Sequence, residues 1–144
     1  MKQTTALPQL VYSLEYYAQW HAIALRWQVP YTLWEVQTSY RAALELARRH
    51  GCGRWLLDSR LAGPLDLAVT QWLTQDFLPR AATRLAPQAL RLAVVSSSAR
   101  LQQLHTDDTV GPAVAEAFAA PHPYYTNIFA TEEEAVAWLL SEPQ

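Results

Sequence analysis

The chain has one cysteine, one lysine, one methionine and four glycines among its 144 residues. Each shortage closes off a class of function. A lone Cys52 forms no internal disulfide, so the sequence is not a disulfide scaffold of the secreted kind. The four glycines include one G-x-G, Gly51-Cys52-Gly53, but no G-x-G-x-x-G or G-x-x-x-x-G-K run, so the glycine-rich signature of a phosphate loop is missing. No apolar run approaches the ~18–20 residues of a membrane span. The start, Met1-Lys2-Gln3-Thr4-Thr5-Ala6-Leu7-Pro8, lacks the roughly 7–15-residue apolar core of a secretory signal. Positive charge is not in excess either. Eleven scattered Lys and Arg residues stand against thirteen Asp and Glu, for a net charge of −2, which is no footprint for nucleic acid. The expectation is a cytoplasmic protein with no nucleic-acid partner and no membrane span.

What is abundant is apolar and aromatic. Hydrophobic residues make up 51% of the chain and charged ones 17%, against a usual charged share of ~25%. The composition is globular, and the length predicts one domain over 1–144, with residues 1–8 as a flexible N-terminal segment. Six Trp and seven Tyr supply large buried area. They fill a core, or some of them line a pocket or a dimer face.

Two strands are expected at 10–17 and 20–28. Alternation puts His21, Ile23, Leu25 and Trp27 on one face, and the short link at Ala18-Gln19 makes the pair an antiparallel hairpin. Pro30 stops the second strand. Thr32 and Glu35 have capping-box spacing, and Leu33, Val36, Tyr40, Ala43, Leu44 and Ala47 form the buried stripe of a helix to His50. Gly51 is a ready terminator. Strand three runs from Arg54 to Asp58, and its apolar run Trp55-Leu56-Leu57 stops on the polar Asp58, Ser59 and Arg60. Asp66 caps a second helix with Leu65, Val69, Trp72, Leu73 and Phe77 inward, and Pro79 is expected to bend or end it, with a further short helical stretch to about Leu85. Leu90–Val95 suits a central parallel strand. One of Ser96, Ser97 and Ser98 caps a helix to about His105. Asp107-Asp108-Thr109 and Gly111-Pro112 are read as an interruption before a helical piece from Ala113 to Ala119. Pro121-His122-Pro123 is a loop, Tyr124–Phe129 a strand, and Thr131 with Glu134 a second capping box. The order β-β-α-β-α-β-α-β-α predicts a mixed, mostly parallel α/β sheet of about five strands, with right-handed crossovers and helices on both faces.

This order, with its residues, resembles the SpoIIAA-like branch of the STAS (STAS/SEC14-like) family. The resemblance rests on Trp27, Trp55-Leu56-Leu57-Asp58-x-Arg60, Trp72…Phe77-x-Pro79-Arg80, Leu92-Ala93-Val94-Val95 and Phe129…Glu133-Glu134-Ala135-x-x-Trp138-Leu139. It covers nearly the whole chain, through an ordered set rather than one diagnostic motif. It implies a small stand-alone bacterial member with a regulatory or binding role through protein partners. The best-known STAS mechanism phosphorylates a serine in an Asp-Ser-x-Gly loop. Asp58-Ser59 invites Ser59 as phosphoacceptor, but Arg60 and Leu61 follow it and Gly63 comes two residues late.

The rim at the ends of strands three and four carries the candidate chemistry, because ligands of open α/β sheets sit there. Asp58 and Arg60 form either a polar-ligand site or a structural ion pair. Ser96, Ser97, Ser98 and Arg100 form either an anion cradle at a helix start or an ordinary cap. His21, His50, His105 and His122 show no metal-ligand spacing, and His105 near Asp107 and Asp108 is a polar loop or a proton-transfer set. Cys52 and Ser59 lack an identifiable base. Glu132–Glu134 suit a helix start. The leading expectation is a non-enzymatic protein-interaction domain, as a possible homodimer, that binds through Asp58, Ser59, Arg60, Ser96, Ser97 and Ser98. The alternative is a small-molecule or lipid-binding module with an aromatic-lined pocket beside the sheet. A third expectation, an enzyme, requires Asp58, Arg60 and a histidine to converge in a cleft. Neither a metal nor a cofactor is expected.

Overall fold

The computed structural model describes residues 11–119 and 122–141. Residues 1–8, Leu10 at the start of the first expected strand and Pro121 lie outside them. The chain opens with β1 (Tyr12–Tyr17) and β2 (Ala22–Trp27), paired antiparallel from Tyr12↔Trp27 to Tyr17↔Ala22. The turn between them contains no glycine. His21 takes the left-handed conformation instead, at φ 49°, a region where His is enriched among non-glycine residues. Its ring is fixed there by the Tyr16 hydroxyl at 2.8 Å and the Gly51 carbonyl at 3.2 Å.

Helix α1 (Leu33–His50) begins with the full capping box: Thr32 Oγ1 accepts from the Glu35 amide, and the Glu35 carboxylate accepts from the Thr32 amide. It ends on Gly51, whose φ of 59° is the left-handed geometry that a Cβ disfavours. Val36, Ser39, Tyr40, Ala43 and Ala47 are its buried residues. Leu33, expected in that stripe, is exposed in the first turn.

β3 (Arg54–Asp58), β4 (Leu90–Val95) and β5 (Tyr124–Phe129) then add parallel to β2, in the sheet order β1-β2-β3-β4-β5. Each new strand lies beyond its predecessor on the same edge. With crossovers of one hand, such winding places every connecting helix on one face. The alternating residues Ile23, Leu25, Trp27, Trp55, Leu57 and Leu92 face that side and meet α1 and the segments that follow β3. The opposite face is small: Ala24, Leu56, Ala93 and Val95 cluster with Ala135 and Leu139 of α6 (Glu132–Leu140), ringed by the half-buried Tyr17, Trp20, Phe129, Val136 and Trp138. Both faces carry helix, but unevenly, and the crossovers do not divide between them.

The segment after β3 corrects the expectation for Pro79. Asp66 caps α2 (Leu67–Trp72) as expected, with its Oδ1 accepting from the Val69 amide. The backbone then widens into a π-helical turn (Leu73–Phe77) and resumes as α3 (Leu78–Leu85), with Pro79 in its first turn. A proline costs a helix one hydrogen bond and crowds the carbonyl before it; the wide turn absorbs both, and the chain continues without a break.

Ser97 caps α4 (Ser98–Thr106). The interruption read at Gly111-Pro112 is in fact the first turn of α5 (Val110–Ala119). Asp107 starts it, with Oδ1 accepting from the Thr109 and Val110 amides and the Thr109 hydroxyl. Gly111 is required by contact: a Cβ there would lie 2.4 Å from the Leu104 carbonyl oxygen of α4. At α6, Thr131 accepts from the Glu134 amide, but Glu134 answers through the Thr131 hydroxyl, so the second box is half formed.

Candidate functional site

The seven rim residues singled out from sequence do not form one site. The sheet divides them, because consecutive residues at a strand end point to opposite faces. Asp58 follows Leu57 onto the α6 side. There it accepts from Arg60 Nε at 3.0 Å, Arg60 Nη2 at 2.8 Å and the Arg60 amide at 3.2 Å. Arg26 from β2 reaches it at 3.5 Å and also binds Glu132 at the start of α6, at 2.5 Å. Burial pushes the Asp58 carboxyl up, but the hydrogen bonds from Arg60 and the charges of both arginines outweigh it and hold the group below its usual range. Hydrogen bonding to Glu132 raises the Arg26 guanidinium despite burial. The cluster ties β2, β3 and α6 together with each charge answered. Of the two readings for Asp58 and Arg60, it has the form of the structural pair.

Ser59, Ser96 and Arg100 lie on the other side. The parallel register that sets Asp58 beside Val95 continues one residue on, where the Ser59 amide donates to the Val95 carbonyl at 2.8 Å, so Ser59 and Ser96 end adjacent strands. Both are buried, at 6% exposure, which speaks against Ser59 as a phosphoacceptor. Among the described residues neither hydroxyl takes a hydrogen bond. Ser97 is used as the α4 cap, and Ser98 is exposed at the first helical position. The expected three-serine cradle is therefore one cap, one surface residue and one buried hydroxyl.

Those buried residues mark one end of a partly open cavity of about 130 Å³ between the β3–β5 face and a roof of α1, α2, α4 and α5. Its floor is Leu57, Leu92, Val94, Thr126 and Ile128, and its walls include Tyr40, Val69, Leu73, Leu104, Val114 and Phe118. The gap exists because α4 and α5 pack mainly on each other and on α2. Gln103 holds them at this height: its side-chain amide exchanges two hydrogen bonds with the Leu65 backbone, at 2.7 and 3.0 Å. At the strand C-terminal end the lining turns polar, through Ser59, Ser96, Tyr31 and Arg100. Tyr31 is placed by an edge-on contact with Trp27 at 4.9 Å, and its hydroxyl accepts from Arg100 Nη2 at 3.0 Å. Arg100 Nη1 donates to the Ser59 and Gly63 carbonyls at 3.3 and 3.1 Å. At the other end, burial raises the Tyr124 phenol, and its hydroxyl has no partner among the described residues.

The remaining candidates scatter. His21 and His50 gather around Tyr16, which stacks on His50 at 3.7 Å. His105 is exposed, and His122 stacks on Tyr124 at 5.0 Å. None joins Asp58 and Arg60, so the cleft that the enzyme expectation required is not assembled among the described residues. Asp107 is committed to capping α5, and hydrogen bonds from Val110, Thr109 and Gln103 hold its carboxyl far below the usual range. Cys52 is buried, with its thiol pushed up by burial and donating to the His21 and Arg54 carbonyls. Among the described residues no three His, Cys, Asp or Glu side chains gather as a metal group, and no helix is long and apolar enough to cross a membrane.

Sequence reading found Ser59, Ser96 and Arg100 but missed Tyr31, Tyr40, Thr126 and Phe118. The available signal was Thr126, a hydroxyl at an inward position of an otherwise apolar strand face. No family model matches this chain, and no curated protein or solved structure does so either.

Proposed function

We propose that this chain is a binding module for a small, mainly apolar molecule held between the sheet and the α4–α5 roof. The single observation that carries this reading is the cavity itself. Protein interiors are packed with few voids larger than water, and this one, of about 130 Å³, approaches the ~150 Å³ apolar cavity known to take benzene. Its mainly apolar lining, with a few hydroxyls and a single guanidinium at the strand C-terminal end, has the usual layout of a small-ligand site.

The test is a titration of methyl-labelled protein with benzene and with 1-octanol. The methyls of Leu57, Leu92, Val94 and Ile128 should shift, while Leu56 and Leu139 on the α6 face stay in place. A Val114→Phe variant, which fills the cavity from the roof, should weaken binding at least tenfold. Absence of shifts at the floor methyls with both probes removes the reading.

A second reading keeps the protein-interaction role that the STAS/SpoIIAA-like resemblance implies, but moves its surface. Asp58 and Arg60 are engaged within the fold. Trp34 at 70% exposure and Leu61 at 59% stand with Val29 and Leu33 beside the Tyr31–Ala62 backbone contact. This makes an apolar rim of the kind that marks contact sites. Sedimentation velocity of the wild type and of Trp34→Ser tests it: a concentration-dependent dimer lost in the variant supports self-association there, and a strict monomer at all concentrations counts against it.

A further inference from the structure

We infer that the pocket is built for a carboxylate: the ligand it fits is a small monocarboxylic acid whose head pairs with Arg100 and whose apolar body runs along the β3–β5 floor. This rests on the reading that the cavity is a binding site. Among the described residues Arg100 is the only charged one lining it. The side chain is 6% exposed, and no Asp or Glu among the described residues comes within ion-pair distance of it. Its three acceptors, two backbone carbonyls and a phenol, are neutral. Nε is buried with no partner among the described residues, and Nη2 has a second hydrogen beyond the one given to Tyr31. A buried cation in such surroundings is expensive unless paired.

The contrast with Arg91 sharpens the point. Arg91 is equally buried, but its guanidinium binds the Trp138, Leu139 and Ser141 carbonyls at the end of α6, where the helix dipole is negative. Arg100 is the third residue of α4, at the positive end of a helix, where the dipole adds to its charge. Its loop-tying bonds and the Tyr31 ring, 5.8 Å from its guanidinium, explain its position, and among the described residues they set no negative charge against its own.

The site's own inventory narrows the anion. One guanidinium answers one negative charge, and its planar fork matches the two oxygens of a carboxylate. Ser59 and Ser96 end adjacent strands at the same end of the cavity with hydroxyls unused by other described residues, so they can donate to the second oxygen. A phosphate dianion would ask for a second cation or a nest of backbone amides; no second cation among the described residues lines the cavity, and the chain has no glycine-rich loop to form such a nest. From Tyr124 to Ile128 the floor runs ~13 Å at ~3.3 Å per residue, with the guanidinium and the two serines at the Ile128 end and the Tyr124 hydroxyl at the other. An elongated apolar body with a single charged end fits that distribution.

Isothermal titration of the wild type with octanoate, 1-octanol and octylamine tests the inference. Octanoate is expected to bind at least tenfold tighter than octanol, and octylamine weaker than both. Arg100→Met should bring octanoate and octanol to equal affinity, and Arg100→Lys should restore part of the gap. Should Arg100→Met fail to fold, the wild-type series decides alone. Equal binding of octanoate and octanol to the wild type overturns the carboxylate inference and leaves the pocket standing. No binding of any of the three overturns the pocket reading itself.

Discussion

Asp58 stays ionised inside the fold because two guanidiniums and a backbone amide outweigh its burial. A carboxyl whose folded-state value is depressed contributes stability that is present above its unfolded value and lost as pH falls through the folded one. Asp58→Asn removes that contribution. At pH 7 it should cost about 1–2 kcal/mol, the range for a hydrogen-bonded charge whose main partner is half exposed. The deficit should shrink as pH drops below the ordinary carboxylate value of about 3.9. Urea unfolding of both proteins at pH 7 and pH 3 checks this, and a deficit of equal size at both pH values contradicts it. The residue scale also shows where reading a sequence stops. Asp58 and Arg60 were legible as a pair because they are two positions apart on a strand end. Arg26 and Glu132 were not, because they lie 32 residues before Asp58 and 106 residues beyond Arg26 respectively. Arg100 was legible as a helix-start residue, but its burial depends on Tyr31, 69 positions away.

Local chemistry carried further at the level of elements. The boundaries of β3, β4 and β5, the Thr32 box and the Gly51 terminator follow from apolar runs and capping residues that act over four positions or fewer. The misreadings fall where a contact overrides the local signal. Pro79 reads as a bend or an end of the second helix, with a separate short stretch to about Leu85, whereas the π-helical turn makes room for it and joins the two. Gly111-Pro112 reads as a loop, yet Gly111 opens α5 because the helix approaches the Leu104 carbonyl closely. Gly111→Ala therefore pits two effects against each other. Helix propensity favours Ala by about 1 kcal/mol, whereas a Cβ 2.4 Å from a backbone oxygen forces α5 away from α4. Overpacking of this kind costs about 1–3 kcal/mol, and the obstacle is main chain, which does not rotate aside. The variant should unfold at a lower temperature than the wild type by thermal melt. A higher melting temperature would show that the α4–α5 contact is softer than its geometry indicates.

For the molecule as a whole, the winding of the sheet decides where the cavity lies. Sequential strand order sends every crossover to one face. α1 and α3 settle directly on that face, α6 seals the other, and α4–α5 rest on each other and on α2 with the cavity beneath. Element order was readable from sequence; the distribution of helices over the faces was not, because it depends on the side to which each strand is added. The consequence is a gradient of local stability. Segments with few buried apolar contacts open at lower free energy than the core, so the α4–α5 roof should exchange its amide hydrogens before β3, β4 or α1. The roof is also the part that a ligand would hold down. A ligand at a hundred times its dissociation constant adds about 2.7 kcal/mol to any opening that releases it. Saturating octanoate should therefore slow exchange in α4, α5 and the Ser59–Leu65 loop by about a hundredfold, since each 1.4 kcal/mol is a factor of ten. Amides of α6, across the sheet, exchange through openings that leave the pocket intact and should change far less. Uniform slowing over both faces would mean that ligand release requires the sheet to open rather than the roof to lift. Slowing confined to α4, α5 and that loop would identify the roof as the part that lifts to release the ligand.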